Sequence, residues 1–122
     1  MTKHPESVLQ KQCVAWFKYQ YPAMSKLIIH IPNGLKLGGT PVQRAIQMNR
    51  AKLEGLQPGT PDLFIAAPSV AYCGLWIEMK SKKGMLSEKQ NEMMKLLTEQ
   101  GYRCCVCNSF EAFQKIIKTY FK

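Results

Sequence analysis

With 122 residues, 46% of them apolar and 20% charged, the chain has the length of one globular domain and enough apolar mass for a core without disulfide staples. Its 17 basic residues against 8 acidic ones leave a formal charge of +9, which favours a polyanion, either nucleic acid or an acidic membrane surface, over a purely apolar ligand. No apolar run approaches ~18 residues, so no membrane-spanning helix is expected. Five cysteines without a CxxC pair or a secretory leader point to free thiols in a reducing, cytoplasmic setting.

Val8, Leu9, Cys13, Trp16 and Phe17 recur at helical spacing and predict a first helix from Pro5 to about Tyr21, stopped by Pro22. The apolar run from Leu27 to Ile31, bounded by Pro32, Asn33 and Gly34, reads as a short buried strand. Thr40 as N-cap, Pro41 at the first helical position and Gln43 three after the cap open a second helix, which Gly55 closes. The segment GLKLGGTP has the glycines of a phosphate-binding loop. No lysine follows Gly39, however, and Thr40 is accounted for as a cap, so no nucleotide cofactor is expected.

Two strand candidates follow, from Asp62 to Ala67 and from Leu75 to Lys80, joined by a loop containing Pro68 and Gly74. Ser87 and Gln90 form a second capping box before Met93, Met94, Leu96 and Leu97, and Gly101 ends that helix. Tyr102 to Cys107 alternates as a strand, sending Cys105 and Cys107 to one face and Cys104 to the other. Buried thiols acting as small hydrophobes are therefore expected there, not a metal cluster. An amphipathic helix from Ser109 to Phe121 completes one mixed α/β layer structure.

The chemistry concentrates in Asp62 and in Glu78-Met79-Lys80. If the two central strands pair as a hairpin with Ala67 opposite Leu75, then Leu63, Ile65, Leu75, Ile77 and Met79 share one face and Asp62, Glu78 and Lys80 the other. In that register Asp62 lies across from Lys80 and diagonal to Glu78, roughly 7–8 Å between α-carbons. Two carboxylates so placed suit a hard cation such as Mg²⁺. A neighbouring lysine can hold an attacking water or steady charge on a phosphate. The bland alternative is an exposed strand face with an ordinary Asp–Lys pair. Phe64 and Trp76 fall on the same face and are expected to pack under the first helix, and His30 is expected as a satisfied core histidine at a strand end.

The ordered series of Glu6 and Gln10 on the early helix, IHIPNG at 29–34, GTPD at 59–62, IEMK at 77–80 and LSEKQ at 86–90 resembles the virus-type replication–repair nuclease (VRR-NUC) domain of the PD-(D/E)XK superfamily. The resemblance implies a restriction-endonuclease-like core, a mixed sheet flanked by helices, and Mg²⁺- or Mn²⁺-dependent cleavage of DNA phosphodiesters. It implies Asp62, Glu78 and the Met79 carbonyl as metal ligands, Lys80 at the attacking water, Glu6 as a helix-borne acid near the metal, and Gln90 near the water or phosphate. Glu6 also suits a helix's first turn, where the macrodipole favours an acid, and Gln90 already serves a capping box.

Asn33, Lys36, Arg44, Lys82 and Lys83 are the candidate DNA contacts; Lys82 and Lys83 directly follow the catalytic strand, where phosphates must pass. The resemblance also implies a homodimer that acts on branched DNA such as Holliday junctions. The alternatives are a non-catalytic DNA-binding module or a partner-dependent subunit of a replication or repair complex with the same fold.

Overall fold

Two helix starts fold as their cap residues dictate. The computed structural model describes residues 5–32 and 37–122, and in it α2 (Pro41–Leu53) begins with a reciprocal capping box between Thr40 and Gln43, while α3 (Glu88–Glu99) begins with one between Ser87 and Gln90. Gly55 and Gly101, just past these helices, take φ of +111° and +98°, a region that costs side-chain-bearing residues most. The first helix, α1, spans Pro5–Gln20, and the last, α4, spans Phe110–Tyr120 behind a Ser109 cap.

The strands are shorter than their apolar runs: β1 is Ile28–His30, β2 Leu63–Ile65, β3 Leu75–Met79 and β4 Arg103–Cys107. They form one mixed sheet in the order β1-β2-β3-β4, antiparallel except for the β3–β4 pair. One face buries Leu63, Ile65, Leu75, Ile77 and Met79 under Cys13 and Phe17 of α1 and Phe113, Ile117 and Tyr120 of α4. Each fully buried aliphatic or phenyl group there contributes about 1.5–3 kcal/mol. Trp16 knits the two helices together through edge-on contacts with Phe110 and Phe113 at 6.1 and 6.0 Å between centroids. Cys13 and Cys107 are fully buried in this core, whereas Cys73 is exposed.

The hairpin register differs by two residues from the one expected. Ile65, not Ala67, lies opposite Leu75, and Leu63 lies opposite Ile77. The pairing with β3 ends early because the next carbonyl on that side is taken elsewhere: the Ala67 carbonyl accepts from the Tyr120 hydroxyl at 2.7 Å, while Ala66 N–H, on the β1 side, donates to the Leu27 carbonyl at 2.9 Å. On the return, Cys73 N–H donates to the Gly101 carbonyl at 2.9 Å, which draws the loop toward β4. A slip of two keeps every side chain on its face, so the apolar set stays buried while the partner of Asp62 changes.

Phe64 and Trp76 do not pack under α1. Their rings stack on each other at 4.3 Å and meet Tyr102 edge-on, on the sheet face opposite α1. That follows from period 2: α1 and α4 occupy the face of Leu63 and Ile65, so the alternate residues must point away from them.

The loop before β2 is held against α3 by Gly59. Its φ is +90°, and a Cβ built there would lie 2.6 Å from the Lys89 carbonyl oxygen and 3.1 Å from Gln90 N. This approach fixes where Asp62 enters the sheet relative to Gln90. Gly59→Ala should therefore destabilise the fold, by about 1–3 kcal/mol from the combined backbone and contact costs, whereas Val70→Ala, at a side chain 98% exposed, should not. Urea unfolding of the two variants beside the parent chain measures both.

Candidate active site

Glu78 is the one charged residue that is buried among the described residues, at 2% exposure. It sits in β3 on the face opposite the apolar core, and the observed register carries Asp62 to the position across from it, one step beyond the Leu63–Ile77 pair. The two carboxyl groups are hydrogen-bonded. Asp62 is thus opposite Glu78 and not Lys80, a closer carboxylate pair than the diagonal arrangement expected.

This juxtaposition has a direct electrostatic result. Loss of solvent, the hydrogen bond to Asp62 and the charge of Asp62 push the Glu78 carboxyl up to about 8, against a pull downward from Lys80 and a small push from Glu6. Near neutral pH the Glu78 carboxyl therefore largely retains its proton. A divalent cation placed between them would do the same electrostatic work as that proton, and do it better.

The surroundings hold the pair in place. Asp62 Oδ2 accepts from Met79 N–H at 2.8 Å. A residue in an extended strand directs its N–H and C=O to the same side, so the Met79 carbonyl also faces Asp62. Lys80 N–H donates to the Cys107 carbonyl at 2.9 Å, which anchors the start of the lysine side chain to β4.

Gln90 reconciles its two readings. Its Oε1 accepts from Ser87 N–H at 2.8 Å and completes the capping box, which leaves Nε2 aimed at Glu78 Oε1 and Oε2 at 3.3 and 3.5 Å. Glu6, in the first turn of α1, reaches the end of β3, where its Oε1 accepts from Ser81 N–H at 3.3 Å. No three His, Cys, Asp or Glu side chains gather closely enough to hold an ion among the described residues. A cation here would rest on Asp62, Glu78 and the Met79 carbonyl, with water or phosphate filling the other positions, as Mg²⁺ commonly accepts. The donor set fits it.

The candidate DNA contacts divide. Lys82 and Lys83 are exposed at the tip of a turn closed by Gly84 N–H to the Ser81 carbonyl at 2.9 Å, immediately beyond the site. Arg44 is on α2, where its Nη1 donates to the Gly39 carbonyl at 3.0 Å. Asn33 and Lys36 lie outside the described residues.

His30 is exposed instead of buried in the core, yet it is satisfied: its Nδ1 lies 2.9 Å from Gln10 Nε2 and 3.2 Å from the Asp62 carbonyl oxygen. The one ring nitrogen either accepts from Gln10 or donates to the Asp62 carbonyl, according to its tautomer, and this pairing of Gln10 with His30 was not anticipated from the sequence. The visible signal was Gln10, four residues and one helical turn beyond Glu6, on the same face of α1.

Burying a carboxyl whose folded-state value is about 8, against an ordinary 4.5, costs stability as pH rises. The native state binds the extra proton between those values, so this contribution is present below about 4.5 and is lost as pH rises through about 8. Melting of the metal-free protein in chelator should show the parent chain falling behind Glu78→Gln as pH goes from 5 to ~8.5. A melting-temperature difference that does not change with pH would contradict this.

With the geometry in place, comparison with known proteins is informative. The family model described as "VRR-NUC domain" matches residues 4–111. A solved structure described as a VRR_NUC domain protein superposes with a TM-score of 0.79, covering 98% of this chain and 90% of that one at 24% identity. A comparison with curated proteins finds no match. The superposition shows the same fold, and the family match spans most of the chain, from α1 through the start of α4. The chain belongs to the VRR-NUC domain family, a nuclease-like family.

Proposed function

We propose that the protein is a metal-dependent endonuclease that hydrolyses DNA phosphodiester bonds, using Asp62, Glu78 and Lys80. The observation that carries this reading is the buried Glu78 carboxyl held against Asp62, an arrangement that costs stability and has no structural use that an apolar pair would not serve better. Bound Mg²⁺ or Mn²⁺ would polarise the scissile phosphate and acidify a water. Asp62 and Glu78 would supply its charged ligands, and the Met79 carbonyl a neutral one. Gln90 holds the Glu78 carboxylate in orientation through its amide. Glu6 brings a third negative charge to the rim of the site. Lys80 neutralises charge that develops on the phosphate and orients the attacking water. Lys82 and Lys83 receive the adjoining phosphates.

The substrate reading is branched DNA, such as a Holliday junction, cut by a homodimer. One Asp62–Glu78 centre makes one cut per bound pose, and symmetric resolution takes two centres related by a two-fold axis. Helix α2 supports a self-contact: none of its 13 residues is buried, and Val42, Ile46 and Leu53 are 69%, 57% and 82% exposed. Apolar side chains along one helix at that exposure favour a covering partner.

Asp62→Asn and Glu78→Gln should each abolish cleavage while leaving DNA binding in Ca²⁺ intact, and Lys80→Ala should slow cleavage about 10²–10⁴-fold. Single-turnover assays on labelled DNA with separate binding measurements test this, and near-parental cutting by either acid variant would remove the site assignment. On substrate, light scattering should give a dimer that Ile46→Glu converts to monomer, with a four-way junction cut faster than a linear duplex of equal length. Symmetric junction cutting by a chain that is monomeric throughout would exclude the dimer.

A further inference from the structure

β4 is an edge of the sheet: one side of its backbone pairs with β3, and among the described residues no strand pairs with the other. Beside that edge, between β4, α4 and the turn at Ser69–Tyr72, opens a groove of about 680 Å³. This is within the range of pockets that hold ligands or peptide anchors. Its floor is apolar, with Ile116 and Tyr120, and Val106 at the strand edge is 43% exposed. The floor is fixed, because the Tyr120 hydroxyl is held by the Ala67 carbonyl at 2.7 Å.

The rim is basic. Arg103, Lys115 and Lys122 line the groove, and no acidic residue does. Arg103 lies 6.0 Å over the Tyr72 ring, which keeps one of these cations at the mouth.

Three kinds of occupant meet this surface differently. A second copy of this chain, with 8 acidic residues against 17 basic ones, offers a basic rim few carboxylates, and its proposed contact is the exposed face of α2. A DNA backbone matches the rim but has no small apolar group to fill the floor. An extended acidic peptide with apolar side chains at alternate positions matches all three features: its backbone pairs with the β4 edge, its apolar side chains enter the floor, and its carboxylates meet the rim.

We propose that the groove between β4 and α4 docks a short, extended, acidic segment of a partner protein, bearing apolar anchors at alternate positions. A five-residue strand measures about 17 Å, so the segment is five to seven residues long. Val106 pairs in register with Glu78, so a partner bound here attaches to the strand next to the one that carries Glu78 while leaving the carboxylates open. The site is independent of the nuclease reading, since none of its lining residues belongs to the Asp62–Glu78 constellation.

The test uses fluorescein-labelled Asp-Ile-Asp-Phe-Asp-Leu-Asp and a panel with the three apolar residues permuted, followed by anisotropy against the full chain. The expected result is saturable binding in the micromolar range, weakened at least tenfold by Lys115→Glu with Lys122→Glu. It should be unchanged in Glu78→Gln and absent for a peptide with lysine in place of aspartate. No saturable binding across the panel would overturn the proposal, as would binding that ignores the two lysine substitutions. If those substitutions instead weaken a twelve-nucleotide single strand as much as the peptides, the groove is a nucleic-acid surface. If they dissociate a dimer in sedimentation, it is a self-interface.

Discussion

The hydrogen bond between Glu78 and Asp62 is the constraint around which the rest of the site is arranged. A carboxyl group at 2% exposure in a sheet is expensive to ionise, and a second carboxylate against it raises the cost further. The chain tolerates this because the opposite face of the same strands buries a continuous apolar set from Leu63 to Met79 under α1 and α4. That core fixes the strands well enough to hold two like-signed groups together. Gly59 against Lys89, Met79 N–H on Asp62 and Gln90 on Glu78 then set the pair from three sides.

Gln90 shows how little sequence the site uses. One residue starts a helix with its carbonyl oxygen and touches a buried carboxyl with its amide. Because both ends are engaged, its orientation follows from α3's own start, and α3's placement follows from Gly59. Glu6 is fixed in a similar way, by a first-turn position on α1 whose far end is anchored in the core through Cys13 and Phe17.

Much of this was legible in the chain. Capping boxes at Thr40 and Ser87, glycines at 55 and 101, and the period-2 sorting of Leu63, Ile65, Leu75 and Ile77 predicted the helices, the strands and the buried face. The grouping of Asp62 with Glu78 followed from that parity. The register did not, because it is set by the Tyr120 hydroxyl on Ala67 and by Cys73 on Gly101, contacts between residues 53 and 28 positions apart that no local pattern encodes. The placement of Phe64 and Trp76 was missed for a related reason. Their face was correct, but which helix covers which face is a property of the packed layers. His30 was expected as a core histidine at a strand end, yet it sits at the short outer strand β1, where a ring can stay exposed and still meet Gln10.

The central claim is that the Asp62–Glu78 pair exists to hold a divalent cation. The most direct measurement is calorimetric titration of Mn²⁺ into the DNA-free protein at neutral pH, beside Asp62→Asn, Glu78→Gln and Lys80→Ala. The account predicts saturable binding in the parent chain, retained in Lys80→Ala and lost in both carboxylate variants. Equal binding in the parent and the carboxylate variants would contradict it, because the cation would then be held somewhere else.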